Sequence, residues 1–194
     1  MSRMRCPRCA RPTSYCLCPL IPQLPSRSRV LILQHPDEVG HALNTARLAA
    51  LGLINSELRV GECFADLVLD PAYRACLLFP GEAAQALPLA AAGDERPLLL
   101  VVPDGTWRKA RKLLYLNPEL AALPRVCLPA GGRSRYRLRK APGDGALATI
   151  EAIAHALELQ EGVDFSELLR PFDALIDGQI AAMGADTYRR NHER

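Results

Sequence analysis

Four short apolar runs, each bounded by residues that break regular structure, constrain the fold of this chain most. Each run has four to six residues, the length of a strand buried on both faces of a sheet. Helical patterns lie between or after the runs, and this alternation predicts an α/β fold with a mainly parallel sheet and helices on both faces. The runs are 29–33, 75–79, 97–102 and 125–128. The helical segments are 42–53, 106–116, 148–159 and 166–183, the last interrupted at Pro171.

The N-terminal residues carry a four-cysteine motif. Two residues separate the first pair of cysteines and one residue separates the second pair. Four thiolates at these spacings can close a tetrahedral site, which predicts structural zinc bound by Cys6, Cys9, Cys16 and Cys18. A redox pair or reactive surface thiols are the alternatives, although a redox motif needs only two cysteines. The remaining cysteines lie in apolar surroundings and are predicted to be core residues: Cys63, Cys76 and Cys127.

Charge is segregated along the chain. The net charge is only +3, yet three blocks hold many cations and almost no acids: 1–36, 104–112 and 125–140. If these blocks converge on one face, that face would bind phosphates, which indicates a nucleic-acid partner; a solvated basic surface is the alternative.

No apolar run approaches the length of a membrane span, and the N-terminus lacks the apolar middle of a signal peptide. We therefore expect a cytoplasmic protein with no membrane partner. Nothing in the sequence calls for an obligatory protein partner.

The segment PDGTWRKARKLL, 103–114, follows the third apolar run. Asp104 would stand at the carboxyl end of a strand, Gly105 permits a tight turn, and Thr106 can cap the helix that begins at Trp107. Ligands of open α/β sheets bind beside the carboxyl ends of strands, and the chain has neither GxGxxG nor GxxxxGKS/T. These features predict a site at the strand ends, with Trp107 facing the core. A capped helix with a solvated basic face is the alternative.

Several motifs occur in an order that resembles one family. HPDE, NTARL, LFPG, DGTWRKARKL, SRYRLRKAP and ATIEAIA follow the four-cysteine element, and DGTW is similar to the D-x-T-W signature of DTW-domain proteins. The chain thus resembles the bacterial tRNA-uridine aminocarboxypropyltransferases of that family. The resemblance implies a SPOUT-like fold, a class in which the chain can be knotted. It divides the chain into a zinc-binding element with its linker, 1–27, and a catalytic domain, 28–194.

The resemblance also implies a reaction. The donor would be S-adenosylmethionine, and the acceptor would be N3 of a tRNA uridine, expected at position 47 in the variable loop. The 3-amino-3-carboxypropyl group would be transferred and 5′-methylthioadenosine released. A SPOUT-type RNA methyltransferase and a non-catalytic zinc-bearing RNA-binding adaptor are the alternatives.

The matching motifs also suggest residue roles. Asp104 would remove the N3 proton, or else position the donor or stabilise charge. His35 is expected to be buried or capping and Asn44 to start a helix, rather than to touch the uridine. Donor-binding residues are expected at Leu78, Phe79, Pro80, Gly81, Thr106, Leu128, Thr149 and Glu151. Residues expected to hold tRNA are Arg108, Lys109, Arg111, Lys112, Arg133, Arg135, Tyr136, Arg137, Arg139 and Lys140, extended by Arg5, Arg8 and Arg11.

Overall fold

Six parallel strands form one sheet in the computed structural model of the protein, which describes residues 4–89, 93–129, 134–138, 147–184 and 187–188. The strands are β1 (Arg29–Gln34), β2 (Ser56–Val60), β3 (Arg74–Leu78), β4 (Gln85–Ala86), β5 (Leu98–Asp104) and β6 (Arg125–Cys127). Their order across the sheet is β2-β1-β5-β3-β6-β4.

The central strands correspond to the predicted apolar runs. In β1, Val30 and Ile32 face one apolar cluster, while Leu31 and Leu33 face a second cluster on the other side of the sheet. Strand β5 lies between β1 and β3 and alternates in the same way. Both faces of these strands are covered, so their central positions, 30–33 and 98–102, are all apolar.

Strands β2 and β4 were not among the predicted runs. Strand β2 is an edge strand whose sequence, SELRV, is half-buried and contains two charged residues. Strand β4, at the other edge, has two exposed residues. Edge strands leave one side of the backbone unpaired and need no continuous apolar run, so hydrophobicity alone does not reveal them.

Helices cover both faces of the sheet, which confirms the predicted α/β class. Helices α1 (Ala46–Gly52), α4 (Thr149–Glu161) and α5 (Arg170–Met183) contribute to the first cluster. Helices α2 (Trp107–Leu116) and α3 (Pro118–Ala121) contribute to the second. The SPOUT likeness and a knot stay predictions.

The closing segment, predicted as helix interrupted at Pro171, consists of a short 3₁₀ turn, Ser166–Leu169, followed by α5. Pro171 lies in the first turn of α5, where a backbone N–H has no helical acceptor. This proline therefore begins the helix and does not interrupt it.

The N-terminal element packs on the same apolar core as the helices. Cys9, Leu17 and Ile21 are buried in the first cluster. Leu24 then joins the chain to the end of α1, since its N–H donates to the Gly52 carbonyl at 2.9 Å. The division into 1–27 and 28–194 stays a prediction.

The remaining cysteines differ in burial. Cys76 is buried as predicted, and burial raises the pKa of its thiol to about 12. Cys127 is half-buried, whereas Cys63 is exposed, so the prediction of a core position for Cys63 is wrong. Among the described residues, no helix has the length and apolar character needed to cross a membrane.

Candidate active site

A cleft of about 720 Å³ opens at the carboxyl ends of β3, β5 and β6. Its position agrees with the rule that ligands of open α/β sheets bind beside strand ends. Most residues predicted for catalysis or donor binding line it: Leu78, Phe79, Pro80, Asp104, Thr106, Leu128 and Thr149. Gly81 and Glu151 are not part of the lining. One cavity therefore brings together motifs that are far apart in the chain.

Asp104 is held by two hydrogen bonds from different elements. The parallel register sets Gln34 of β1 beside Asp104 of β5, and Gln34 Nε2 donates to Asp104 Oδ2 at 2.8 Å. Thr149 Oγ1, in the first turn of α4, donates to Asp104 Oδ1 at 2.5 Å. Each carboxylate oxygen thus accepts one hydrogen bond from these side chains and has the capacity to accept another.

The environment of Asp104 favours its protonated form. Its side chain is only 8% exposed, and this burial raises the pKa of the carboxyl group above its ordinary value near 3.8. The hydrogen bonds from Thr149 and Gln34 lower that pKa, and the charge of Glu38 raises it further. A carboxylate with a raised pKa is a stronger base than an exposed one.

Trp107 lies at the cleft and does not face the core. Its side chain is 43% exposed, so the predicted inward position is wrong. The ring meets Phe79 edge to face, with centroids 5.5 Å apart. The helix itself begins as predicted, because Thr106 Oγ1 accepts a hydrogen bond from the N–H of Lys109. Phe79 and Trp107 therefore give the cleft an aromatic wall.

Gly81 lies next to the Arg125 side chain, which packs on the Phe79 ring. A Cβ atom at this position would stand 2.8 Å from Nη1 of Arg125, whose guanidinium lies over the Phe79 ring at 5.7 Å. The absence of a side chain at Gly81 leaves room for this cation–π contact. The glycine thus acts on the cleft through Arg125 and Phe79.

Glu151 is buried, and its carboxylate accepts hydrogen bonds from other parts of the protein. It accepts hydrogen bonds from the N–H groups of Ala148, at 2.8 Å, and Arg135, at 2.6 Å, and from Ser134 Oγ at 2.7 Å. The bond to Ala148 closes half of a capping box whose N-cap is Ala148, one residue before Thr149. Glu151 therefore ties residues 134–135 to the start of α4.

Replacing Glu151 by alanine is expected to destabilise the protein. Three donors would lose their acceptor, so the free energy of unfolding should fall by at least about 2 kcal/mol. Urea denaturation measures this change, and exposed Glu82 provides a control, Glu82→Ala, with no effect. An unchanged stability together with a loss of donor affinity would instead place Glu151 at the donor.

The predicted tRNA-binding cations fall into paired and unpaired groups. Lys109 and Lys112 form ion pairs with Glu38 and Glu62, and Arg135 and Arg137 with Asp173 and Asp177. Arg108 and Arg111 are exposed and form no ion pair within the described part of the chain. Tyr136 lines the cleft and packs edge to face on Phe172. Arg133, Arg139 and Lys140 lie outside the described residues.

The four N-terminal cysteines meet in space. Cys6 Sγ is 3.6 Å from Cys18 Sγ, Cys9 Sγ is 3.8 Å from Cys16 Sγ, and all four sulfur atoms lie within 4.8 Å of one another. A tetrahedral zinc site with Zn–S bonds of about 2.3 Å spaces its sulfur atoms by about 3.8 Å. Backbone hydrogen bonds from Cys9 and Arg8 lower the pKa of the Cys6 thiol to about 6, whereas burial and the neighbouring thiols raise the pKa of Cys18 to about 12. A bound metal would hold all four as thiolates.

Arg11 connects this cysteine cluster to the cleft. Its guanidinium donates to the carbonyls of Ala42, at 2.7 Å, and Asn44, at 3.1 Å, in a loop that lines the cleft. Burial lowers the pKa of Arg11. Arg11 therefore braces the cleft and is not free to extend an RNA-binding track.

Polar residues around Asp104 include some that sequence reasoning missed. Gln34 was missed, although it is the polar residue that ends the first apolar run. Asn44 accepts from Gln34 and from the N–H of Arg47 near the start of α1, and it also lines the cleft. His35 is buried and its Nδ1 caps a 3₁₀ turn, Pro36–Glu38, as predicted, while its Nε2 lies 2.7 Å from Glu62.

Comparisons with known proteins agree with this geometry. A family model described as the DTW domain matches residues 3–180. A Drosophila melanogaster protein named tRNA-uridine aminocarboxypropyltransferase 2 is 35% identical over 193 residues, which span 92% of this chain and 76% of the fly protein. Its Macaca fascicularis namesake is 31% identical over 92% of this chain and 64% of its own length. The Arabidopsis thaliana tRNA-uridine aminocarboxypropyltransferase A is 30% identical over 80% of this chain and 72% of its own.

No solved structure matches the chain significantly. The DTW model nevertheless covers both the cysteine cluster and all of the cleft. The chain belongs to the DTW domain family.

Proposed function

We propose that this protein is a tRNA-uridine aminocarboxypropyltransferase. It moves the 3-amino-3-carboxypropyl group of S-adenosylmethionine to N3 of a tRNA uridine and releases 5′-methylthioadenosine. The observation that carries this proposal is the buried Asp104 of the family signature, held by Gln34 and Thr149 at the base of a strand-end cleft. The names of the curated relatives supply the reaction class.

The cleft suits S-adenosylmethionine. Its volume of about 720 Å³ is in the range of small-molecule sites, about 300–1,000 Å³. Leu78, Phe79, Leu128 and Trp107 provide apolar and aromatic surface for the adenosine. Asp104, Asn44 and Thr149 provide polar groups in the same lining. We assign the adenosine to the apolar and aromatic side chains and the reacting carbon to Asp104.

Asp104 acts as the base in the proposed reaction. Uridine N3 is a poor nucleophile while it carries a proton, and the Asp104 carboxylate accepts that proton. The N3 electron pair then forms a bond to the terminal carbon of the aminocarboxypropyl chain. The carbon–sulfur bond breaks with its electron pair going to sulfur, so the sulfonium becomes the neutral thioether of 5′-methylthioadenosine. Asp104 returns its proton to solvent.

The proposed tRNA surface starts at the exposed arginines of α2. Arg108 and Arg111 lie on the helix that begins at the cleft and carry no ion pair among the described residues. Phosphate binding needs such unpaired cations, because a cation already paired must give up its carboxylate first. Arg135 and Arg137, paired with α5, would contribute less. We place the variable loop, with uridine 47, against this surface.

Replacing Arg108 or Arg111 by alanine should weaken tRNA binding. Each phosphate contact that is lost should reduce the slope of log K against log salt by about 1. Filter binding over a series of salt concentrations measures both effects. Arg96→Ala is the matched control, since Arg96 is paired with Asp94 before β5, at the opposite end of that strand. Equal losses in all three variants would show that only net charge matters.

We also propose structural zinc at the cysteine cluster. The sulfur spacings fit a tetrahedral four-thiolate site. Four thiolates complete the coordination of zinc, so no further ligand is needed. Cys6, Cys9, Cys16 and Cys18 would hold the ion, which would cross-link the short turns of the N-terminal element. Zinc content measured on the purified protein tests this assignment.

One assay tests the proposed reaction against its alternatives. Purified protein is incubated with S-adenosylmethionine and unmodified tRNA, and both nucleosides and small products are analysed by mass spectrometry. We expect a uridine carrying the aminocarboxypropyl group and an equal amount of 5′-methylthioadenosine. S-adenosylhomocysteine with a methylated nucleoside would identify a methyltransferase. Binding of tRNA without consumption of the donor would identify an adaptor.

A further inference from the structure

A largely buried ion pair lies inside the cleft. Lys109 Nζ is 2.8 Å from Glu38 Oε1 and 3.4 Å from Asp37 Oδ2. The side chains of Lys109 and Glu38 are only 20% and 19% exposed, and both line the cleft. The lysine one turn further along α2 is different, because Lys112 pairs with Glu62 away from the cleft and is 51% exposed.

Local contacts hold the segments that carry Lys109 and Glu38 next to the Asp104 segment. A Cβ atom at Gly105 would stand 3.0 Å from Cβ of Lys109, so the lysine stem passes directly over the glycine backbone next to Asp104. Glu38 ends the 3₁₀ turn that follows β1, and Asn44 Nδ2 donates to its carbonyl at 3.0 Å. His35, at the start of this turn, donates its backbone N–H to the Asp104 carbonyl at 3.0 Å.

The location of Lys109 argues against a phosphate contact. Two carboxylates, from Glu38 and Asp37, already surround its ammonium group, and they would repel an incoming phosphate. A ligand with both charges can replace this ion pair charge for charge. When Lys109 and Glu38 separate, its negative charge meets the ammonium group and its positive charge meets the Glu38 carboxylate, so neither protein charge is left unpaired. The cleft therefore presents a recognition site for a small zwitterion.

We propose that Lys109 binds the carboxylate and Glu38 the ammonium group of the donor's amino acid end. This inference rests on the proposed function, in which that end is the group transferred. Its reacting carbon is separated from the zwitterionic carbon by a single methylene group. Binding the zwitterion at Glu38 and Lys109 therefore brings the reacting carbon, rather than the methyl group, to Asp104. Lys109 and Glu38 thereby select which of the three carbon atoms bonded to the donor's sulfur is attacked by uridine N3.

Three ligands that differ in their carboxylate and ammonium groups distinguish the roles of Lys109 and Glu38. S-adenosylmethionine has both, decarboxylated S-adenosylmethionine keeps the ammonium group alone, and 5′-methylthioadenosine has neither. Lys109→Met should weaken S-adenosylmethionine binding about 10- to 100-fold, the range for a lost charged hydrogen bond, and should not weaken the other two ligands. Glu38→Gln should weaken the first two ligands and leave 5′-methylthioadenosine unchanged. Isothermal titration calorimetry measures all of these affinities.

Lys112→Met is the matched control and should leave all three donor-site affinities unchanged. Unchanged binding of 5′-methylthioadenosine shows that the cleft of each variant is intact. If Lys109→Met binds all three ligands more weakly to a similar degree, the lysine only supports the fold and the inference is wrong. The inference is also wrong if this variant binds S-adenosylmethionine as tightly as the natural protein does. If the natural protein shows the expected binding pattern but modifies no tRNA, the proposed function fails and the zwitterion site stands.

Discussion

Asp104→Asn is expected to lower transfer to tRNA by about 10²- to 10⁴-fold, the usual contribution of a general base, and to leave the fold intact. The asparagine keeps the shape of the side chain, and the Thr149 hydroxyl can turn to accept from the new amide while Gln34 still donates to its oxygen. Single-turnover assays measure the rate, and tRNA binding should be nearly unchanged. Equal losses of rate and of tRNA affinity would show a structural role.

The same variant should reveal the raised pKa of Asp104 as a pH-dependent stability difference. Burial favours the neutral carboxyl group in the folded protein. Its stabilising contribution is therefore complete below the ordinary pKa near 3.8 and is lost as pH rises through the higher folded pKa. The stability of Asp104→Asn relative to the natural protein should increase over that interval in urea denaturation. A difference that does not change with pH would contradict the raised pKa.

Removal of the proposed zinc ion should have the largest effect on stability. Structural zinc contributes roughly 10–16 kcal/mol in isolated zinc-binding peptides, as much as a whole domain's stability. A strong chelator, or Cys9→Ser, should unfold the N-terminal element and lower the melting temperature. Because Arg11 bonds the carbonyls of Ala42 and Asn44, donor affinity should fall as well. Differential scanning fluorimetry and calorimetry measure the two effects.

Cys63→Ser provides the control for the zinc experiment. Cys63 is exposed and is not one of the four clustered cysteines, so this change should affect neither stability nor metal content. A chelated protein that melts at the same temperature and binds the donor equally well would mean that the cluster is not a structural metal site.

The buried elements were the predictable part of the fold. Strands β1, β3, β5 and β6 lie where apolar runs occur, because strands covered on both faces contain several consecutive apolar residues. The edge strands β2 and β4 give no such signal. Thr106 was predicted as the cap of α2, since capping depends on only a few neighbouring residues.

The candidate site was only partly predictable for a different reason. Asp104 and the LFPG turn were identified from their motifs, and Asp104 lines one cleft together with Leu78, Phe79 and Pro80 of that turn. Trp107 was predicted to face the core because helical spacing indicates on which side of the helix a residue lies. Spacing does not show whether that side is covered at this position, and Trp107 is 43% exposed. Glu151 was assigned to the donor because its acceptor role depends on Ser134 and Arg135, many residues earlier in the chain.

The sequence by itself determined the α/β class, the cysteine cluster and the position of Asp104 after a central strand, because periodicity, ligand spacing and strand-end chemistry are local properties. Only the tertiary structure decided which charged side chains are available to bind a ligand. The parallel register sets Gln34 beside Asp104, and the turn after β1 brings Glu38 to Lys109. Four cations that look alike along one helix thereby become two arginines with no ion pair among the described residues, a surface ion pair and a largely buried pair in the cleft. Pairing and burial depend on contacts between distant segments, and these exist only once the chain has folded.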